Sequence, residues 1–396
     1  MTPGIEGARR APRRDSLLAR LRGAFQLLRT VDLEDLIAQF DARQRKLEQT
    51  QRDIATQSDA RQRELEQTQR DLAMLFAKSE ELRQRLDPLD PTAIAGGLLD
   101  IKNLGYEIGR QLAERNFADR SLTVDHTRLM SKLCIQNDFS TDWLFYWCHE
   151  LRSVPFYHRK LWELCYVAQA LFSEGQLAPG HRGIGFGCGE EPLPSLFAKY
   201  GAMITATDLE AMRPEAEVWR STAQHASAIE TIRRLDICPD PQLLANIEFH
   251  PVDMNAIPRE FDGQFDFCWS TCALEHLGSI ENGLTFIENS LRALKPGGVA
   301  VHTTEFTVTG GETIDNHPIV LYQRHHLETL TDRLRAGGYE VVDFDFSPGD
   351  GVLDRFVDLP PYQDKNNILM PLHHFAHLKL LLDGYTCTSI GIIIKA

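Results

Sequence analysis

The chain has 396 residues, of which 43% are hydrophobic and 25% charged, an ordinary composition for a globular protein. Its formal net charge is -14, which argues against an enzyme of nucleic acids because phosphate contacts need clustered Lys and Arg. No run approaches the roughly 18 apolar residues of a membrane span, so we expect a cytoplasmic protein. Its eight cysteines include no CxxC pair, which predicts free thiols and no metal site.

Residues 1–30 are predicted to form a basic arm, with seven arginines against two acidic residues. Apolar residues recur at helical spacing between Leu17 and Leu28, which indicates a basic amphipathic helix. Such a helix can bind an anionic surface, so peripheral contact with the inner membrane is one interpretation. A solvated arm, or a helix that packs on its own protein, is the alternative.

Residues 31–90 contain an internal repeat, because 41–58 and 59–76 are identical at 13 of 18 positions. Eighteen residues make five turns of α-helix, so each copy presents the same face. Apolar residues recur seven apart except for an eleven-residue step from Ile54 to Leu65, which is a heptad pattern with a stutter. We predict a long coiled-coil helix that mediates homo-oligomerisation or binds a partner protein. A solitary charged helix or a disordered arm is the alternative.

Residues 91–178 are predicted to form a helical connector. An aromatic-rich stretch between Trp143 and Tyr166 is expected to pack against the following domain; a share in the acceptor pocket is the alternative. Over 179–396, short apolar runs alternate with helical segments. That alternation indicates an α/β domain with a mainly parallel sheet and crossover helices.

A glycine-rich turn, GIGFGCGE in 183–190, follows the first strand of this domain. Glycines let the backbone approach a ligand closely, and the helix predicted to follow offers free N–H groups. The next strand ends in Asp208, 21 residues after Gly187, where a carboxylate can accept hydrogen bonds from both ribose hydroxyls of an adenosine. A dinucleotide turn would need glycine at Glu190 or Pro192, so a nucleoside cofactor without phosphates is favoured.

Together with three later segments, this turn resembles the class I S-adenosylmethionine-dependent methyltransferases. The segments, in family order, are GIGFGCGEEPLPSLFAKYGAMITATDL, FHPVDMNAIP, FDFCWSTCALEHL and LRALKPGGVAVHTTEF. The resemblance covers about 183–396 and implies a Rossmann-like sheet of seven strands, one of them antiparallel, with S-adenosylmethionine as the cofactor. The cofactor contacts that it implies are Gly185, Gly187, Cys188, Gly189, Asp208, Leu209, Asp253, Met254 and Ser270.

Within that family, HRKLWELC and LYQRHHLETL are similar to segments of bacterial methyltransferases associated with surface-glycan synthesis. This closer resemblance implies O-methylation of a sugar or glycan precursor. The alternatives are small-molecule methylation in secondary metabolism, and a non-catalytic protein of this fold that recruits glycosyltransferases.

The turn departs from the family pattern at two positions. The acidic residue that often precedes the first glycines is here Gly185, and the usual final glycine is Glu191. The amino group of the cofactor's methionine part is therefore left to Glu190, Glu191 or backbone carbonyls.

His276, His302 and Glu305 are the candidate catalytic residues, because ligands of open α/β sheets lie beyond the C-terminal strand ends. His276 follows the fourth strand and is the first candidate base for removing a hydroxyl proton; a histidine that packs beside the cofactor is the alternative. His302 and Glu305 have opposite side-chain directions on the fifth strand, so one of them is expected to face the pocket. Gln224 and His225 could form a lid over the acceptor; a plain helix surface is the alternative.

Two other motifs carry little weight. The segment Asp358–Tyr362 (DLPPY) is similar to the DPPY of DNA-amino methyltransferases, but it has an extra residue and follows the wrong strand, so no nucleic-acid partner is expected. His373 and His377 are four apart on a predicted helix, yet no carboxylate completes a recognised metal pattern with them.

Overall fold

In a computed structural model, the described residues are 91–117, 122–210, 229–362 and 376–396, with scattered positions between 44 and 78. The chain divides into two compact units, Met1–Pro88 and Leu89–Ala396. The described positions of the first unit are helical. The basic arm, most of the predicted coiled coil, and Gln224 and His225 lie outside the described residues, so these assignments stay predictions.

The second unit is built on one mixed sheet. Its strands are β1 (Ser131–Leu133), β2 (Arg182–Gly185), β3 (Met203–Asp208), β4 (Ile247–Pro251), β5 (Phe265–Thr271), β6 (Leu294–Thr307), β7 (Glu340–Val341), β8 (Phe344–Asp345), β9 (Leu380–Leu382) and β10 (Tyr385–Lys395). The order is β4-β3-β2-β5-β6-β10-β1-β8, and β7 and β9 also pair with β10. Strand β10 is antiparallel to each of its neighbours, whereas the other pairs in this part of the chain are parallel.

The predicted count of seven strands is too low, because the described sheet has ten. The strands β1, β7, β8 and β9 have only two or three residues each, too few to show an alternating pattern. One of them, β1, lies inside the segment predicted to be a purely helical connector, and it pairs with β10. The single reversed strand agrees with the expectation.

Helices cover both faces of the sheet. They are α1 (Pro91–Phe117), α2 (Asp142–Glu150), α3 (Arg159–Ser173), α4 (Leu193–Lys199), α5 (Ile229–Ile232), α6 (Pro241–Leu244), α7 (Ile280–Leu291), α8 (Arg324–Ala336) and α9 (Val352–Arg355). Helix α3 packs across β5, β6 and β10, and α2 packs on α3. Within the described residues, none of the helices has the length and apolarity to cross a membrane.

The aromatic-rich stretch packs in the interior, as predicted. Trp147 and Trp162 are fully buried. Their indole N–H groups donate hydrogen bonds of 2.7 Å to Gln169 and Asp138, respectively. Because these polar tips are satisfied, the two rings fix α2 and α3 against the sheet.

Helix α7 shows how the sequence anchors the strand edge that carries the site. Ser279 caps its N-terminus by accepting a hydrogen bond from the backbone N–H of Asn282 at 3.1 Å. Its core face consists of apolar residues at helical spacing, Ile280, Leu284, Ile287 and Leu291, all buried. The cap and this face together fix the loop that runs from β5 into α7.

Candidate functional site

A cavity of about 700 Å³ lies at the C-terminal ends of β2, β3 and β5. Its wall is completed by the segment after β4 and by α3. The predicted site residues that line it are Gly187, Cys188, Gly189, Asp208, Leu209, Asp253, Met254 and His276. Residues far apart in sequence therefore meet where the topology of an open α/β sheet predicts a ligand.

The turn after β2 requires glycine for two reasons. Gly187 and Gly189 have φ of 63° and 51°, in the left-handed region that side chains disfavour. A Cβ at Gly187 would also lie 2.8 Å from the Cβ of Ala273 and 3.1 Å from the Sδ of Met254. The backbone therefore forms the cavity wall directly, as a closely held cofactor needs.

Two carboxylates stand at the ends of neighbouring strands. Asp208 ends β3, and its Oδ1 accepts a hydrogen bond of 2.7 Å from the backbone N–H of Leu209. Asp253 follows β4, and its Oδ1 accepts one of 2.9 Å from the backbone N–H of Asn255. These local bonds fix both side chains at the cavity, in positions that can accept hydrogen bonds from an adenosine.

Gly185 and Ser270 are corrections to the predicted cofactor contacts, since neither lines the cavity. A Cβ at Gly185 would lie 2.4 Å from both the Sγ of Cys188 and an indole carbon of Trp269. Glycine is therefore needed here because the side chains of Cys188 and Trp269 pack against its backbone, and not because a ligand does. The fully buried hydroxyl of Ser270 lies 2.8 Å from Nδ1 of His302.

His302 is also not a candidate base. Its ring is fully buried, with Nδ1 beside Ser270 and Nε2 3.3 Å from the hydroxyl of Ser290. Burial lowers its pKa to about 3, and the ring packs against Phe286 of α7. The histidine therefore belongs to the packed layer under α7, away from the cavity.

Glu305 lies on the opposite face of β6 from His302, as strand alternation predicts, and points toward α3. Its carboxylate is 2.5 Å from the guanidinium of Arg159 and 3.8 Å from the ammonium of Lys160. Burial opposes the charge, but the two cations hold the pKa of Glu305 below its ordinary value. It stands behind the cavity wall and does not line it.

His276 does line the cavity. Its Nδ1 is 3.0 Å from the carbonyl oxygen of Pro318, a group that can only accept, so Nδ1 carries the proton and Nε2 has the lone pair. Burial lowers the pKa of His276 to about 4, so the imidazole is neutral near pH 7. A neutral ring with a fixed tautomer suits a proton acceptor.

The lining residues that the sequence analysis missed include Lys160, Glu163 and Cys272. Lys160 and Glu163 come from α3, more than 100 residues before β5. The segment HRKLWELC that contains them was noted for its resemblance alone. Cys272 follows β5 with a φ of 44°, a conformation that could not be read from its sequence neighbours.

Glu191 replaces the expected final glycine and faces the cavity beside Cys188. Its carboxylate accepts hydrogen bonds from the indole N–H of Trp269 at 2.6 Å and from the hydroxyl of Thr271. Burial raises the pKa of Glu191 to about 7, although these donors favour the charged form.

A possible cation site lies behind the wall, where donor atoms of Cys272, Glu275 and Glu305 lie within 4.8 Å of one another. Arg159 already pairs with Glu305 there and lies 4.0 Å from the Sγ of Cys272. Burial also raises the pKa of Glu275 to about 7. A divalent cation would have to compete with the guanidinium, so we do not assign a metal to these residues.

Asp358 and His377, from the two motifs that were given little weight, have structural roles. The Nδ1 of His377 lies 2.7 Å from the carboxylate of Asp358. Lys102 and the hydroxyl of Tyr106, both on α1, lie 3.1 Å from the same carboxylate. His373 lies outside the described residues. All eight cysteines are free, as predicted.

Residues 184–302 match the model of a family described as a methyltransferase domain. No curated protein sequence matches the chain significantly.

Several solved structures are similar to parts of the chain. Phosphoethanolamine N-methyltransferase 2 of Haemonchus contortus is 17% identical over 43% of this chain and 36% of that chain, with a TM-score of 0.31. A SAM-dependent methyltransferase of Aquifex aeolicus is 14% identical over 56% of this chain and 87% of that chain, with a TM-score of 0.31. 1,6-Didemethyltoxoflavin-N1-methyltransferase of Burkholderia thailandensis is 16% identical over 43% of this chain and 65% of that chain, with a TM-score of 0.29.

The chain spans 53%, 36% and 59% of the lengths of the first three solved structures that it matches. With TM-scores near 0.3, these similarities do not indicate which reaction this chain catalyses or which acceptor it uses.

Proposed function

We propose that the chain, whose residues 184–302 match the model of a methyltransferase domain, uses S-adenosylmethionine to methylate a hydroxyl group of a sugar or glycan precursor. When bound, the cofactor supplies an electrophilic methyl group on a sulfonium. The chain's own residues must hold that cofactor, align the acceptor, exclude water and accept the hydroxyl proton.

The cofactor side of the cavity fits an adenosine. Asp208 would accept hydrogen bonds from the ribose hydroxyls, and Asp253 from the adenine amino group. Leu209 and Met254 provide apolar walls for the base. The bare backbone at Gly187 leaves room for the amino-acid part, because any side chain there would meet Ala273.

The acceptor proposal rests on one observation, the charged wall on the β5 side of the cavity. In the sheet order, β3 and β4 lie on one side of β2, and β5 and β6 lie on the other. The wall residues Lys160, Glu163 and His276 are therefore placed away from Asp208. A sugar offers several hydroxyls that can bond to such groups, whereas an apolar acceptor would cover them without supplying any hydrogen bond.

His276 is the proposed proton acceptor. Because its Nδ1–H is held by the carbonyl of Pro318, Nε2 can accept a proton from an acceptor hydroxyl. His276→Gln is expected to lower kcat by about 100-fold, within the usual contribution of a general base, and to change cofactor affinity less than twofold. His250→Gln, on an exposed histidine of β4, is the control and should keep full activity. Equal turnover of both variants would contradict the assignment.

The acceptor is tested by incubating the protein with labelled S-adenosylmethionine and extracts of cell-surface precursors, followed by mass identification of the labelled species. Label on a sugar hydroxyl supports the proposal. Label on another small molecule contradicts it and favours secondary metabolism. Cofactor binding without turnover on any fraction contradicts it in favour of a non-catalytic scaffold.

A further inference from the structure

Position 185 and position 191 are linked through one side chain, Trp269. The ring of Trp269 fills the space where a side chain at 185 would stand, since a Cβ there would lie 2.4 Å from an indole carbon. The same indole donates its N–H to Oε1 of Glu191 at 2.6 Å. A carboxylate is thus excluded from one side of the turn and held on the other.

The carboxylate of Glu191 faces the cavity without a matching cation. Its neighbours among the described residues are the donors of Trp269, Thr271 and Cys188, and the like charge of Asp208. No ion pair in the described part of the chain includes it. The cofactor proposed for this cavity carries two positive groups, a sulfonium and an ammonium, so the cavity and the cofactor are complementary in charge.

We propose that Glu191 binds the ammonium group of the cofactor's methionine part. This inference rests on the proposed function, because it assumes that S-adenosylmethionine occupies the cavity. Asp208 and Asp253 mark the nucleoside side at the ends of β3 and β4, so the amino-acid part extends toward the turn and β5. There Glu191 is held by two strand residues, Trp269 and Thr271, of β5 itself.

Glu190, the neighbouring carboxylate, fits this role less well. Both carboxylates line the cavity, but Glu190 is exposed, whereas Glu191 is partly buried. A carboxylate that is already held by two donors loses little freedom when it binds an ammonium, and partial burial strengthens the charge pair. Glu191 therefore acts as a positioning and affinity residue for the cofactor.

The test compares two ligands by calorimetry. S-adenosylhomocysteine has the amino-acid group, and 5′-methylthioadenosine shares the adenosine and thioether but lacks that group. Glu191→Gln should raise the Kd of S-adenosylhomocysteine by about 10- to 50-fold, as expected for loss of a charge-assisted bond. The Kd of 5′-methylthioadenosine should change less than twofold, which also shows that the variant is folded. In Glu190→Gln, both Kd values should stay within twofold of the wild-type values.

The same titration against pH gives a second readout. Burial raises the pKa of Glu191 to about 7 in the free protein, and a bound ammonium lowers it. Wild-type affinity for S-adenosylhomocysteine should therefore be full above about pH 7 and fall below it, by up to tenfold per pH unit. The Gln variant should lack this dependence, as should 5′-methylthioadenosine with the wild-type protein.

Three results would overturn the inference. Unchanged affinity of Glu191→Gln for S-adenosylhomocysteine would exclude an ion pair. Tighter binding by that variant would show that the carboxylate occupies the cofactor's space. If wild-type protein binds neither ligand, the proposed function fails as well, so the two failures can be told apart.

Discussion

The two sides of the cavity are built in different ways. The cofactor side, at the ends of β2, β3 and β4, is mainly exposed backbone with single carboxylates fixed by their own neighbours, as at Asp208 and Asp253. The proposed acceptor side, at β5 and β6, is a network of charges in and behind the wall, in which Arg159 pairs with Glu163 and Glu305. The cofactor side depends on local backbone conformation, whereas the other side depends on ion pairs that include partners far apart in sequence. Substitutions on the cofactor side should therefore lower cofactor affinity, and substitutions in the charge network should lower stability.

The largest effect is expected on the acceptor side. Arg159→Met removes the guanidinium that lies 2.5 Å from Glu305 and 3.3 Å from Glu163. Two buried carboxylates then lose a counter-charge, so the free energy of unfolding should fall by about 3–5 kcal/mol in urea titrations. The control is Arg324→Met, whose partner Glu328 lies on the surface of α8. If both variants lose equally little stability, the network is not a structural support of the site.

An intermediate effect is expected for Asp208→Ala on the cofactor side. Loss of the ribose hydrogen bonds should weaken binding of S-adenosylhomocysteine by about 1–3 kcal/mol, measured by calorimetry, with a much smaller change in stability. Asp240→Ala is the matched control, because Asp240 also accepts from a nearby backbone N–H, that of Gln242, but lies outside the cavity. If both variants bind S-adenosylhomocysteine equally well, Asp208 does not contact the cofactor.

A smaller effect is expected for Gly187→Ala, through strain. The substitution places a Cβ 2.8 Å from that of Ala273 at a φ of 63°, and left-handed backbone costs a non-glycine residue about 1–2 kcal/mol. Affinity for S-adenosylhomocysteine should fall about tenfold. Gly263→Ala has a similar φ of 68° with open space around it, so it should lose stability alone. A matching loss of cofactor affinity in Gly263→Ala would show that the effect at Gly187 is not local.

The cofactor side was predictable because its signals are short in sequence. A glycine turn and an acidic strand end are each read from a few adjacent residues. Of the eight predicted site residues that line the cavity, seven lie in or next to such segments, and the eighth is His276. The tertiary structure decides the remainder. At Gly185, the space beside the backbone is filled by the ring of Trp269, and these two residues meet only because β2 pairs with β5.

The errors on β5 and β6 have a common cause. Ser270 and His302 are register partners, so both point to the face under α7. Their neighbours Trp269 and Thr271 point to the opposite face and hold Glu191. Alternation predicts that adjacent residues differ in direction, but sequence alone does not say which face carries the cavity.

The central claim is that this cavity binds S-adenosylmethionine, and a crystal structure with S-adenosylhomocysteine tests it most directly. The account predicts ribose hydroxyls on Asp208, adenine beside Met254 and the ammonium on Glu191. A turn at Gly187 closed by side chains, with the ligand absent or bound elsewhere, would contradict it.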